Sequence, residues 1–115
     1  MSRLRRSWAA RVSVEGGSMR PTLAPGDWLL VDSDAYAGRS PAVGDLVLVP
    51  DPREASRLLV KRVSAVHDDG RRLSLAGDAP DASTDSRAFG SVEASRAEGR
   101  PWFRYWPPSR WGRVL

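Results

Sequence analysis

Ser18 and Lys61 are the residues best suited by type and setting to do chemistry. Ser18 follows Glu15-Gly16-Gly17 and precedes Met19-Arg20-Pro21-Thr22-Leu23, while Lys61 is the single lysine beside seventeen arginines. A serine on a tight bend, hydroxyl exposed and its own N–H close by, meets the needs of a nucleophile with a backbone oxyanion donor. Glycines before it allow positive φ and close backbone approach. The competing reading is a Gly-Gly-Ser turn in which Ser18 caps a short helical turn near Pro21. Lys61 sits within Arg57-Leu58-Leu59-Val60-Lys61-Arg62-Val63-Ser64-Ala65-Val66. Strand alternation gives it the same face as Leu59, Val63 and Ala65, and puts Arg62 on the other with Leu58, Val60 and Ser64. An ammonium pressed against apolar neighbours loses hydration, its pKa falls, and it can then accept a proton as arginine cannot. The alternative is a lone lysine that snorkels to solvent.

A third polar stretch runs Gly77-Asp78-Ala79-Pro80-Asp81-Ala82-Ser83-Thr84-Asp85-Ser86-Arg87-Ala88-Phe89-Gly90. Its acids do not follow the calcium-loop spacing. It offers Asx turns, a short-range Asp85–Arg87 pair and hydroxyls, Ser83 above all, that could orient the Lys61 amine. His67, the only histidine, falls in the turn His67-Asp68-Asp69-Gly70 and is the remaining competitor for the role of base.

The elements that must position these groups read as strands. Period-2 alternation and frequent turn signals predict strands over Ala10–Glu15, Asp27–Asp32, Asp45–Val49, Arg57–Val66, Arg72–Ala76 and Trp102–Trp106. Pro25-Gly26-Asp27 and Val43-Gly44-Asp45 are the turns that enter the second and third. Residues 34–42 and 50–56 read as loops, and no window carries a convincing helical repeat. The expected fold class is mostly β, a compact antiparallel sheet or barrel. The division expected is a basic segment over 1–9, a catalytic domain over 10–106 and an irregular basic and aromatic tail over 107–115.

Composition narrows the chemistry further. With 115 residues there is room for one domain, and without cysteine there is no disulfide, thiolate metal site or Cys nucleophile. No metal and no cofactor is expected. No stretch approaches the ~20 apolar residues needed to span a bilayer, so the expectation is a soluble, cytoplasmic chain without a transmembrane segment. The formal net charge is +4. Arginines interleave with Trp102, Trp106 and Trp111 near the C-terminus, and Arg3, Arg5 and Arg6 accompany Trp8 at the other end. Such a mixture can stack bases or seat a protein weakly on an anionic membrane surface. The plainer expectation is a strand packing its rings on the core, with no nucleic-acid partner. A non-catalytic basic β module is the rival reading from a different class.

Gly17-Ser18-Met19-Arg20-Pro21-Thr22-Leu23, Gly44-Asp45, Lys61-Arg62-Val63 and Gly77-Asp78 through Ser83-Thr84-Asp85-Ser86-Arg87-Ala88-Phe89-Gly90 resemble the successive boxes of the signal peptidase I family. The resemblance covers roughly residues 12 to 92. LexA-like self-cleaving repressors share Ser-Lys segments, but the last box favours signal peptidases. The resemblance implies a serine endopeptidase with a Ser18–Lys61 dyad acting on a protein or peptide substrate. Ser18 N–H would donate to the oxyanion beside Gly17, the hydroxyl of Ser83 would bond the lysine amine, and Asp78, Asp85, Arg62 and Arg87 would form supporting salt bridges. Met19 and Pro21 are candidate substrate contacts. It also implies that substrate adds as a β-strand, with small side chains before the cut.

Three features depart from the family pattern. Gly16 stands where some members carry a second oxyanion hydroxyl, and Ala79 stands where the last box has asparagine. The membrane anchor and large accessory domain are also expected to be missing. Within the family, the short length and the tail Phe103-Arg104-Tyr105-Trp106-Pro107-Pro108 are similar to nickel-type superoxide dismutase maturation proteases. That similarity implies removal of an N-terminal propeptide from a nickel superoxide dismutase precursor.

Overall fold

The computed structural model describes residues 10–14, 17–79 and 91–114. Two turns of the same construction launch its central strands. In Ala24-Pro25-Gly26-Asp27 and Ala42-Val43-Gly44-Asp45, the Asp N–H donates to the Ala carbonyl at 3.0 Å in both cases. Gly26 and Gly44 carry φ of 92° and 95°, the left-handed third position that a type II turn demands. The aspartate then folds back, so that Oδ2 of Asp27 and of Asp45 accepts the Ala N–H at 2.9 and 3.1 Å.

The described residues form eight strands: β1 Ala10–Ser13, β2 Trp28–Asp32, β3 Leu46–Asp51, β4 Glu54–His67, β5 Arg72–Ala76, β6 Val92–Glu93, β7 Arg100–Trp106 and β8 Gly112–Arg113. They form two four-stranded antiparallel sheets, ordered β1-β2-β7-β8 and β3-β4-β5-β6. The fold is therefore mostly β, as the alternation predicts, and the described residues contain no α-helix.

Three boundaries differ from the sequence reading. The stretch 50–56 is not a loop, because β3 runs to Asp51 and β4 begins at Glu54. The buried Asp51 carboxylate accepts from the Arg53 N–H at 2.8 Å and grips its guanidinium at 3.1 and 3.2 Å. Only Pro52 and Arg53 are then needed to reverse the chain. The 107–115 tail is not wholly irregular, since β8 pairs with β7 through Phe103↔Arg113 and Arg104↔Gly112. Finally, β6 is too short to show any period of its own.

β3 is the hinge of the core. Leu46 packs in one apolar cluster with Val14, Met19, Leu23, Leu29 and Val114. Val47 and Val49 pack in the other with Val63, Leu73, Leu75 and Val92. Burial on both faces is why Leu46-Val47-Leu48-Val49 shows no polar alternation. Opposite Leu48, the segment leading into β7 comes so close that Leu48 N–H bonds Gly99 O at 3.0 Å and Glu98 N–H bonds Leu48 O at 2.7 Å. This contact locks one sheet to the other.

Candidate active site

The lysine of β4 is carried into the protein rather than out to solvent. Its cross-strand partner is Val47, itself fully buried, and Lys61 retains only 1 % of its exposure. The snorkelling alternative fails here, because the strand face that includes Lys61 and Val63 turns inward. Lys61 Nζ lies 2.7 Å from Ser18 Oγ, across 43 residues of sequence.

Ser18 is held from both sides. The bend that follows it closes by Arg20 N–H to Gly17 O at 3.1 Å and Leu23 N–H to Met19 O at 2.9 Å. Met19 and Leu23 then drop into the first core cluster and pin the bend to the sheet. On the other side, Ala79 N–H donates to Ser18 O at 2.9 Å. The Ser18 N–H makes no hydrogen bond with another described residue. A Cβ at Gly17 would meet the Arg20 side chain at 3.4 Å, an ordinary van der Waals distance. Gly16 lies outside the described residues.

One carboxylate ties these pieces together. Arg62 grips both oxygens of Asp78, Nε to Oδ1 at 2.9 Å and Nη2 to Oδ2 at 2.7 Å. Thr22, on the serine bend, donates to Asp78 Oδ2 at 2.6 Å. Arg62 also donates to Gly44 O at 2.8 Å. The guanidinium first, and then the Thr22 hydroxyl, hold the Asp78 carboxyl below the usual carboxylate range against the opposing effect of burial. A carboxyl with a depressed folded-state pKa stabilises above its unfolded value, ~3.9, and loses that stabilisation as pH falls through the folded value. Asp78→Asn should therefore lower stability by about 1–2 kcal/mol at neutral pH. The difference should shrink in strong acid, where the wild-type carboxyl is protonated. Urea midpoints for the two proteins at the two pH values measure this directly.

Thr22, Asp27 and Arg104 were not among the candidate site residues. Arg104 Nη1 donates to Thr22 O and to the buried Asp27 Oδ2, both at 3.0 Å, so β7 also buttresses the serine bend. Separations of 77 and 82 residues leave no local signal for this contact. Thr22 stood inside the serine motif, whereas Asp27 and Arg104 were noted only as parts of a turn and of the C-terminal segment. Ser83, Asp85 and Arg87 lie outside the described residues.

A cleft of about 320 Å³ opens beside the Ser18–Lys61 pair. Val12–Val14 form one wall, Ser56–Lys61 of β4 the other, and Met19 lies at the base with Ser18. Pro21 is exposed and does not line it. β1 is the outer strand of its sheet, and β5 pairs with β4 only from Arg62 onward. Among the described residues, both walls thus present strand edges with an open side. His67 is exposed at the far end of β4, its Nε2 2.8 Å from Ser74 Oγ, and takes no part in the cleft.

An all-β domain whose strand-edged cleft ends on a hydroxyl–amine pair has the make-up of a peptidase. The chain belongs to the signal peptidase family, peptidase S26, whose family model matches residues 2–70. It is 36% identical over 122 residues to the mitochondrial ATP-independent inner membrane protease subunit 1a of Arabidopsis thaliana, covering 88% of this chain and 73% of that protein. It is 32% identical over 130 residues to the mitochondrial inner membrane protease subunit 2 of Danio rerio, covering 96% and 70%. A probable signal peptidase I-1 of Synechocystis is 26% identical over 143 residues, covering 88% and 73%. No helix among the described residues is long and apolar enough to cross a membrane.

Proposed function

We propose that this chain is a serine endopeptidase in which Ser18 is the nucleophile and Lys61 the general base. The 2.7 Å approach of a buried amine to the Ser18 hydroxyl carries this reading. The Ser18 oxygen attacks the scissile carbonyl carbon while its proton passes to neutral Lys61. The oxyanion that forms accepts from the Ser18 N–H, a donor typically worth ~2.7–4 kcal/mol to the transition state. Collapse breaks the C–N bond, and the Lys61 ammonium gives its proton to the departing amine. Water then attacks the acyl-enzyme, Lys61 takes its proton, and the second collapse returns a proton to Ser18.

Substrate binding follows from the cleft walls. An extended peptide laid between β1 and the first half of β4 completes the backbone bonding of both edges. In the family pattern, residues matching Asp78, Asp85, Arg62 and Arg87 form salt bridges that brace the last box, and the serine matching Ser83 bonds the amine. Here the Asp78 clamp joins the Lys61 strand to the Ser18 bend and so fixes the distance between the reacting groups.

The substrate class is a protein with an N-terminal segment to be removed. A nickel superoxide dismutase precursor is the candidate that the Phe103–Pro108 segment suggests. The relatives' names point toward work at a membrane. Incubating the full chain with that precursor and with a generic signal-peptide substrate, and reading new N-termini by mass spectrometry, separates the possibilities. Cleavage of the generic substrate alone removes the nickel assignment. Cleavage undiminished by Ser18→Ala removes the mechanism.

A further inference from the structure

The cleft beside Ser18 carries a charge at the end remote from the serine. Its β4 wall runs from Ser56 to Lys61, and strand alternation puts Arg57, Leu59 and Lys61 on one face. At ~3.3 Å per residue, Arg57 stands about 13 Å from Lys61 along the strand. Arg57 is exposed in the cleft wall and makes no hydrogen bond or ion pair with another described residue. Asp51 feels the Arg57 charge only as the weakest of several influences, because Arg53 already bonds both its oxygens. The Ser56 hydroxyl is directed to Glu54 at 3.4 Å, and Glu54 itself does not line the cleft. Among the described residues, the lining thus contains no carboxylate, and Arg57 and Lys61 are its only ionisable groups. Val12, Val14, Met19 and Leu59 make most of the surface between them apolar.

We propose that Arg57 is a specificity-determining residue, selecting substrates that carry an aspartate or glutamate about four positions from the cut. The inference rests on the reading of this cleft as a peptide-binding site that ends at Ser18. A peptide laid along β4 rises by nearly the same distance per residue as the strand itself, so four residues of one match four of the other. The residue at the cut lies at Ser18, 2.7 Å from Lys61 Nζ, and the residue four along therefore lies beside Arg57. An even offset also turns both substrate side chains to the same side of the extended peptide. A carboxylate there meets the planar fork of the guanidinium, which suits two-point bonding. A lysine there meets like charge, and a neutral side chain forgoes the attraction. Because Arg57 is exposed, water and salt screen the pair, and its effect is modest beside that of the dyad. Arg57 stands too far from the scissile carbonyl to act on the chemical step, so its contribution falls on substrate binding.

Quenched peptides built on the generic signal-peptide substrate test this. One series carries glutamate, glutamine or lysine four residues before the cut, and a second carries the same changes four residues after it. In the series whose variable residue lies along β4, the full wild-type chain should favour glutamate over glutamine by about three- to fivefold in kcat/KM, chiefly through KM. Glutamine should exceed lysine by a similar factor, the other series should be flat, and added salt should compress the order. Arg57→Gln should treat the three peptides alike, and Arg57→Glu should reverse the order to favour lysine. The reversal is read within one variant, so a general loss of activity does not obscure it. Fluorescence anisotropy with labelled peptides and Ser18→Ala should give the same order of affinities without turnover. Ordered binding without cleavage by the wild type would overturn the peptidase reading alone. Two flat series, or a glutamate preference that persists in Arg57→Glu, would overturn the assignment of Arg57.

Discussion

Lys61→Arg should leave a folded protein that no longer cleaves its substrate, with kcat lowered by roughly 10⁴–10⁶-fold. The expectation comes from acid–base chemistry rather than from the loss of a contact. A guanidinium stays protonated at every pH the protein survives, so it cannot relieve the Ser18 hydroxyl of its proton. It must also place a larger, permanently charged group where Lys61 is 1% exposed and faces Val47. Ser18→Ala should be equally inactive, yet it removes only a hydroxyl beside an open cleft and should preserve stability. Combining the two changes should cost little more than either alone, because the residues act as one unit. A quenched peptide assay run beside thermal denaturation distinguishes the outcomes. Substantial turnover by Lys61→Arg, with the fold intact, would exclude Lys61 as the base and reopen the question of His67.

Gly99→Ala should be the most damaging small substitution outside the cleft. A Cβ at this position would lie 2.7 Å from Val31 Cγ1, 2.9 Å from Asp32 O and 3.2 Å from Ser33 Cα. Two of those neighbours are backbone atoms that no rotamer change can move. Gly99 also accepts the Leu48 N–H, one of the bonds that hold β3 against β7. The added methyl must therefore push the sheets apart or break that bond. A cost of about 2–3 kcal/mol is expected, seen as a fall in Tm of roughly 10 °C. Gly38→Ala is the natural control, since no atom outside its immediate chain neighbours comes within 4 Å of a Cβ there. If Gly99→Ala melted with the wild type, the inter-sheet contact would be far looser than its geometry implies.

Much of the scaffold was legible from local chemistry. The Ala-x-Gly-Asp turns before β2 and β3 announce themselves because only glycine accepts the φ that each third position requires. The alternation around Lys61 correctly placed it with Val63 on an apolar face, since pleating makes neighbours two apart share a side. The β3–β4 reversal was misread because Pro50, Asp51, Pro52 and Arg53 have the composition of a loop. The strands persist there only because the Asp51 carboxylate, once buried, captures Arg53. The outer sheet face was partly misread for a related reason. The rings of the C-terminal strand were expected to pack on the core, yet Trp102 and Trp106 are exposed, Trp106 opposite Trp28.

The sequence by itself determined the strand class, the turn chemistry and the position of the lone lysine, because these follow from backbone preference and side-chain type. The tertiary structure alone decided that this amine stands 2.7 Å from Ser18 and that Asp78 joins Arg62 to Thr22. It also decided that Arg104 reaches back across 82 residues to the serine bend. Those contacts join the serine bend and the segment after β5 to strands of both sheets. Their geometry depends on register, on burial and on the close approach at Gly99, none of which is a property of any short stretch of chain.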